Sequence, residues 1–377
     1  VRAAEERQDR DQHMSGVDFE RAPFAIAWEV TRACAFACVH CRADAQHRRD
    51  PRELTTEEGH ALIERLRAFG KPILVFTGGD PMMRRDLFDL IRYAAEVGLR
   101  CSLTPTATAL PTEARLHQAK EAGIRRIALS LDAPSPEVHD RFRQVEGSWE
   151  RTMQILHNAH AVGLSAQVNT TVMQHNLDLL PHMVEFVEGV GAVQWSVFFL
   201  VPTGRAQASD LISAARHEQV FNWLYNLSKE SAFDIKVTAA PMYRRVAIQR
   251  RSEEVGEDVP VTFQGAGFQY EDGLDRPVKG VNDGRGFLFI SHLGEIMPSG
   301  FLPISVGNVR ELDVVAAYRD HPLFRDLRDV SKLKGRCGRC EYREVCGGQR
   351  GRAYGVTGDY LKTDPACGYQ PAAMPSA

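Results

Sequence analysis

The chain has no apolar run of the eighteen or so residues that a membrane-spanning helix needs. Charge of one sign is missing too. Lys and Arg number 46 against 49 Asp and Glu, a net charge of −3. There is no general basic field of the kind that nucleic-acid binders build. Neither a membrane nor a nucleic acid is therefore expected as a partner. The first 23 residues are charged and have no apolar centre, so they do not read as a secretory leader. They read as a solvated tail, and the protein as cytoplasmic. Internal repeats and low-complexity tracts are absent. Cysteine is scarce, eight in 377 residues, and its placement is uneven. Cys34, Cys38 and Cys41 crowd one loop, and Cys337, Cys340 and Cys346 another, with Cys367 shortly after. In a long chain such clustering points to metal rather than to a disulfide framework. Cys101 stands alone inside an apolar run and reads as a small core residue.

What the sequence has in quantity is alternation. Six β-like runs, FAIAWEVT, PILVFTGG, LRCSLTPT, RRIALSLD, SAQVNTTV and VQWSVFFLV, are separated by segments of helical period. Thr55 and Glu58 form a capping-box pattern at the first helix. Gly70, Gly98, Gly123 and Gly163 mark helix ends. Six β-α units call for a parallel sheet, since parallel neighbours need crossovers. The fold class expected is α/β, a partial (β/α)6 TIM-like barrel, with its site at the C-terminal strand ends. Beyond Val201, HEQVFNWLYNLSKE and MYRRVAIQRRSEE read as helices and FDIKVTAA as a short strand. Residues 252–285 read as a linker or a loop over the site. RGFLFISHLGEIMPSG reads as a hairpin turning at Leu293-Gly294, and ELDVVAAYRDHPLFRDLRD as one helix. Trp195, Phe198 and Phe199 are expected in the core, and Tyr243, Arg244 and His292 are candidates for a substrate pocket.

WEVTRACAFACVHC sets three cysteines at C-x3-C-x2-C just after the first strand. A four-iron cluster normally takes four thiolates, so three leave one iron open to a ligand. A zinc site would need a completing pair at suitable spacing. This loop resembles the signature of radical SAM enzymes, with His40 at the usually aromatic position before the third cysteine. The resemblance implies a 4Fe-4S cluster on Cys34, Cys38 and Cys41 whose open iron chelates S-adenosylmethionine (SAM). It implies reductive cleavage of SAM to a 5′-deoxyadenosyl radical that abstracts hydrogen from a substrate. It also implies an electron donor such as flavodoxin or ferredoxin.

The same resemblance assigns a SAM pocket. In TGGDP, Gly78, Gly79 and Asp80 are expected at the amino end of SAM, with Asp80 where the family often has Glu. Ser130 and Asp132 end the fourth run. Arg143, with Arg141 as second choice, is the candidate partner of the SAM carboxylate. Asn169 and Thr171 alternate with apolar neighbours and so share a face, toward the ribose or carboxylate. Thr104 and Thr106 are weaker candidates.

Cys337, Cys340, Cys346 and Cys367 give C-x2-C-x5-C-x20-C. Together with GEIMPSGF, GNVRE and CGGQRGRAYGVTGD, this region resembles the SPASM and twitch extensions that hold auxiliary clusters. Ser299 stands where that hairpin usually ends in cysteine, and Gln349 and Arg350 where another cysteine usually follows Cys346. The resemblance therefore implies one auxiliary 4Fe-4S cluster, with zinc as the alternative. The layout expected is a tail at 1–23, the barrel at 24–215, a helical connector and loop at 216–285, a small C-terminal iron–sulfur domain at 286–371 and a tail at 372–377. The pattern is nearest to the heme and heme d1 synthesis enzymes, which implies a tetrapyrrole side chain as substrate. A peptide-modifying maturase is the alternative. An iron–sulfur redox sensor and a zinc-stabilised binding module are the non-catalytic rivals.

Overall fold

The structure, a computed structural model, describes residues 18–255 and 280–372. Its strands are β1 (Ala25–Thr31), β2 (Ile73–Gly78), β3 (Arg100–Leu103), β4 (Ile124–Ser130), β5 (Ser165–Val172), β6 (Gln194–Phe199), β7 (Asp234–Thr238), β8 (Phe287–Ile290) and β9 (Ile296–Met297). They form one sheet in the order β7-β6-β5-β4-β3-β2-β1-β8-β9. Every pair is parallel except β8 with β9. The helices over the sheet are α1 (Thr56–Leu66), α2 (Leu87–Glu96), α3 (Glu113–Glu121), α4 (Pro136–Arg143), α5 (Ser148–Ala161), α6 (Leu180–Gly189), α7 (Ala214–Leu227) and α8 (Met242–Val255). The fold is the α/β partial barrel expected, and the sheet runs past both expected boundaries. β7 comes from the connector and continues the far edge, while β8 comes from the C-terminal region and lies beside β1.

Local chemistry accounts for these elements. At α1 the Thr55 hydroxyl accepts from Glu58 N at 3.2 Å and the Glu58 carboxylate accepts from Thr55 N at 2.9 Å, closing the capping box. Gly123 ends α3 at φ +116, a conformation open chiefly to glycine. On β5 the period of two separates faces. Ala166, Val168, Thr170 and Val172 are buried, and Ser165, Gln167, Asn169 and Thr171 face the barrel interior. The core under the helices is apolar and closely packed, with Trp28 and Phe76 fully buried and their rings 5.9 Å apart. Each such aliphatic or aromatic side chain contributes about 1.5–3 kcal/mol by leaving water.

The C-terminal region adds α9 (Val314–Asp320), α10 (Pro322–Arg328), α11 (Gly335–Arg339) and α12 (Arg350–Thr357). The single helix expected over ELDVVAAYRDHPLFRDLRD is two. Proline at 322 has no N–H to continue α9, and His321 caps the start of α10 through Leu323 N. The hairpin turns at Leu293-Gly294 as expected, with Gly294 N donating to Ser291 O. The expected tail is corrected at residues 18–22. Phe19 is buried, its carbonyl accepts from the Tyr318 hydroxyl at 2.8 Å, and Glu20 pairs with Arg328 at 2.8 Å. Most of the loop expected at 252–285 lies outside the described residues. No helix among them is long and apolar enough to cross a membrane.

Candidate active site

One cavity of about 1370 Å³ occupies the barrel interior and reaches the C-terminal region. Cys34, Cys38 and Cys41 line it, on the loop leaving β1. Two other elements brace that loop. From the end of β2, Gly79 N donates to Thr31 O at 2.9 Å and Asp80 N to Ala33 O at 2.7 Å. A Cβ on Gly79 would lie 2.4 Å from Ala33 O, so only glycine allows this approach. From the loop after β6, Arg205 Nε donates to Cys38 O at 2.9 Å and Arg205 N to Cys41 O at 3.0 Å. Nothing in the sequence signalled Arg205.

The three thiols fit a thiolate-held cluster by donor chemistry. None of the eight cysteines is in a disulfide. Burial pushes the Cys34 thiol up to about 11 and raises Cys38, and each feels the charge of a neighbouring cysteine. Bare, Cys34 and Cys38 stay protonated near neutrality. Metal binding would displace the protons. Among the described residues, no three His, Cys, Asp or Glu side chains form a group able to hold a single metal ion.

Around this loop the predicted residues divide. Gly78, Gly79, Ser130, Arg143, Asn169 and Thr171 all line the cavity, as do Thr104 and Thr106. Asp80 is absent from that lining, and the structure gives its carboxylate partners within the protein. Its fully buried carboxylate accepts from Met82 N at 3.1 Å, Thr106 N at 3.4 Å and the Thr108 hydroxyl at 2.8 Å. It holds the turn that supports the cysteine loop.

Arg143 is tied to protein groups. Nη2 donates to Asp132 at 2.5 Å and Nη1 approaches Cys38 Sγ at 3.7 Å, while Nε is buried with no partner. Burial alone would raise the pKa of Asp132. Arg143 and then His40 outweigh it and hold the carboxylate below its usual range. His40 lines the cavity edge-on to Phe142 at 5.7 Å, with Nδ1 unpartnered. Arg141, the second choice, is absent from the lining.

Of the remaining candidates, Tyr243 and Arg244 line the cavity and His292 does not. His292 lies 2.9 Å from Glu29 on β1, a buried carboxylate that also pairs with Arg32 and Arg42. Trp195 and Phe199 are in the core as expected, and Cys101 is buried. Phe198 is corrected, since it is only partly buried and turns into the cavity.

Cys337, Cys340, Cys346 and Cys367 surround a second, much smaller cavity. Cys346 and Cys367 both feel the charge of Cys337. The positions where cysteines were noted as missing have other work. The Ser299 hydroxyl donates to Asp283, Gln349 Nε2 donates to the same carboxylate at 2.9 Å, and Gly351 N does so at 2.7 Å. This polar knot lines the large cavity, and burial raises the pKa of Asp283.

Comparison with known proteins agrees with this geometry. Residues 28–187 match the radical SAM superfamily model. An AdoMet-dependent heme synthase of Oleidesulfovibrio alaskensis is 43% identical over 93% of this chain and 89% of its own length. One from Methanosarcina barkeri is 40% identical over 93% and 97%. The crystal structure of Streptococcus suis SuiB bound to S-adenosylmethionine superposes with a TM-score of 0.71 at 14% identity, covering 96% of this chain and 82% of that one. The chain belongs to the radical SAM superfamily, whose enzymes use a 4Fe-4S cluster and SAM, within the subgroup that holds the AdoMet-dependent heme synthases.

Proposed function

We propose that this radical SAM enzyme acts on a carboxylate-bearing side chain of a tetrapyrrole, by decarboxylation or oxidation. In this reading Cys34, Cys38 and Cys41 hold the SAM-binding cluster, and Cys337, Cys340, Cys346 and Cys367 hold one auxiliary cluster. The cavity carries the proposal. Pockets for a single small ligand run to about 300–1,000 Å³, and about 1370 Å³ suits SAM with a second, larger molecule. Its lining includes Phe198, Phe289 and Phe301 for a flat ring and Arg42 and Arg244 for carboxylates. The heme synthase relatives at 40–43% identity support the same substrate class.

Bound together and reduced, the cluster and SAM supply a 5′-deoxyadenosyl radical that takes hydrogen from the substrate. The chain's residues place the reactants. Backbone at Gly78 and Gly79 receives the amino end of SAM, Ser130, Asn169 and Thr171 receive its polar groups, and Arg143, which lines the same cavity, receives its carboxylate. A small acidic donor such as flavodoxin or ferredoxin supplies the electron. Eight unpaired thiols suit a reducing compartment such as the cytoplasm.

The test is anaerobic reconstitution, expected to give about eight irons per chain, followed by reduction with SAM and an iron porphyrin carrying propionates. The expected products are 5′-deoxyadenosine and a porphyrin that has lost carbon dioxide or hydrogen. SAM cleavage with an untouched porphyrin, and turnover of a peptide instead, would overturn the substrate reading.

A further inference from the structure

We propose that Arg350 tunes the reduction potential of the auxiliary site, as a cation held against Cys337. This rests on the assignment of a cluster to Cys337, Cys340, Cys346 and Cys367. The sequence marked position 350 only as part of a place where a cysteine is missing. The structure gives it a different role.

The Arg350 guanidinium is buried, with 2% of the residue exposed. Nε donates to Gly348 O at 3.1 Å, and Nη1 to Tyr360 O at 2.8 Å and Lys362 O at 2.7 Å. Nη2 points at Cys337 Sγ, 3.7 Å away. No carboxylate pairs with it among the described residues. Its neighbour Arg352, on the same helix, shows the contrast, with Asp364 at 2.9 Å. A buried guanidinium bonded to carbonyls and one thiol, with the Asp283 carboxylate near enough to feel its charge but not paired with it, is only partly compensated, which is costly in a low-dielectric interior. Four thiolates around an iron–sulfur core carry net negative charge, and they complete the arrangement.

The chain also clears space for the contact. Gly348 has φ +66, and a Cβ there would lie 2.4 Å from Arg350 Nη2 and 3.1 Å from Cys337 Sγ. Gly348 N donates to Cys346 Sγ at 3.4 Å, so the same residue serves a second ligand. Reduction adds one negative charge to an already anionic, buried group. A cation and N–H donors at its sulfurs favour the reduced form and raise the potential. Gln349, one residue away in the chain, lines the large cavity.

The experiment is an anaerobic EPR redox titration of the auxiliary cluster in protein whose Cys34, Cys38 and Cys41 are alanine, so that one signal remains. At the potential where the parent is half reduced, Arg350→Gln should show a reduced-to-oxidised ratio about tenfold lower, about 59 mV for a one-electron couple. Arg350→Lys should fall between the two. Gly348→Ala, which displaces the guanidinium while leaving the charge in the chain, should shift the same way as Arg350→Gln. A loaded Arg350→Gln or Gly348→Ala protein with the parent's potential overturns the proposal. Failure of all three variants to take up auxiliary iron also overturns it, because Arg350 would then build the site rather than tune it. If the parent itself holds zinc at the four cysteines, the cluster assignment falls instead, and iron and zinc analysis separates that outcome from the others.

Discussion

Arg352 and Asp364 form an ion pair at 2.9 Å in which neither side chain is exposed. The guanidinium also donates to Leu200 O at 3.0 Å and Ala239 O at 2.6 Å, at the ends of β6 and β7. The carboxylate accepts from Gln349 N at 2.8 Å, and Asp364 O accepts from Cys367 N at 3.1 Å. One pair thus fastens the C-terminal cysteine loop to the mouth of the barrel. Removing one partner leaves a buried charge uncompensated. Asp364→Asn or Arg352→Gln should therefore destabilise the protein by about 3–5 kcal/mol. Denaturant unfolding checks this, and a loss under about 1 kcal/mol, as for an exposed pair, would contradict it.

The glycine turn gives a second prediction. Because a Cβ at Gly79 would strike the carbonyls of Arg32 and Ala33 at 2.7 and 2.4 Å, Gly79→Ala should displace the first cysteine loop. Iron should fall from about eight to about four per chain, the remainder at the C-terminal cysteines. Iron analysis and EPR of the reconstituted variant decide it. A full iron content would show that the loop tolerates the shift.

Asp80 leads to a third. Its carboxylate serves the Met82 and Thr106 N–H groups and the Thr108 hydroxyl. Asp80→Ala leaves these buried donors unsatisfied, at about 1–3 kcal/mol. SAM affinity should drop only along with stability, and Thr108→Val should show the same pairing in weaker form. Lost SAM binding at unchanged melting temperature would restore a direct contact with the ligand.

The fourth concerns acid. Burial, and next the charge of Arg352, lower the His217 pKa from 6.5 to about 4. The unfolded chain therefore takes up this proton first as pH falls, and stability declines between pH 6.5 and 4. The loss should approach about 3 kcal/mol across that window. His217→Phe, which keeps a ring against Phe199, should flatten that part of the stability curve. An unchanged slope would mean that another group sets it.

The sequence exposed those parts of the molecule whose signal is local. The β-α alternation, the capping box, the hairpin turn and both cysteine clusters depend on neighbours a few residues away. Strand periodicity put Asn169 and Thr171 on one face, and both line the cavity in the structure. What escaped depends on partners far along the chain. β7 and β8 are short, and nothing within them says which sheet edge they will join. The protein donors to Asp80 were not legible, because Thr106 and Thr108 come from beyond the end of a different strand. Arg205 met the cysteine loop across more than 160 residues. Glu29 gave no sign of the cations around it, because His292 reaches it from the C-terminal hairpin. The missing cysteines were legible, but the knot of Ser299, Gln349 and Asp283 in their place was not.

The position of β8 beside β1 has a consequence for how the protein is made. β1 carries the first cysteine loop, and among the described residues one of its two edges is paired only with Phe287–Ile290. Until the ribosome has released those residues, β1 presents an open row of backbone donors and acceptors, the kind of edge that recruits stray strands. Nascent chains stopped before residue 287 thus lack the partner that closes the sheet on the cysteine side. Chains truncated before residue 287 should therefore be prone to aggregation through that edge.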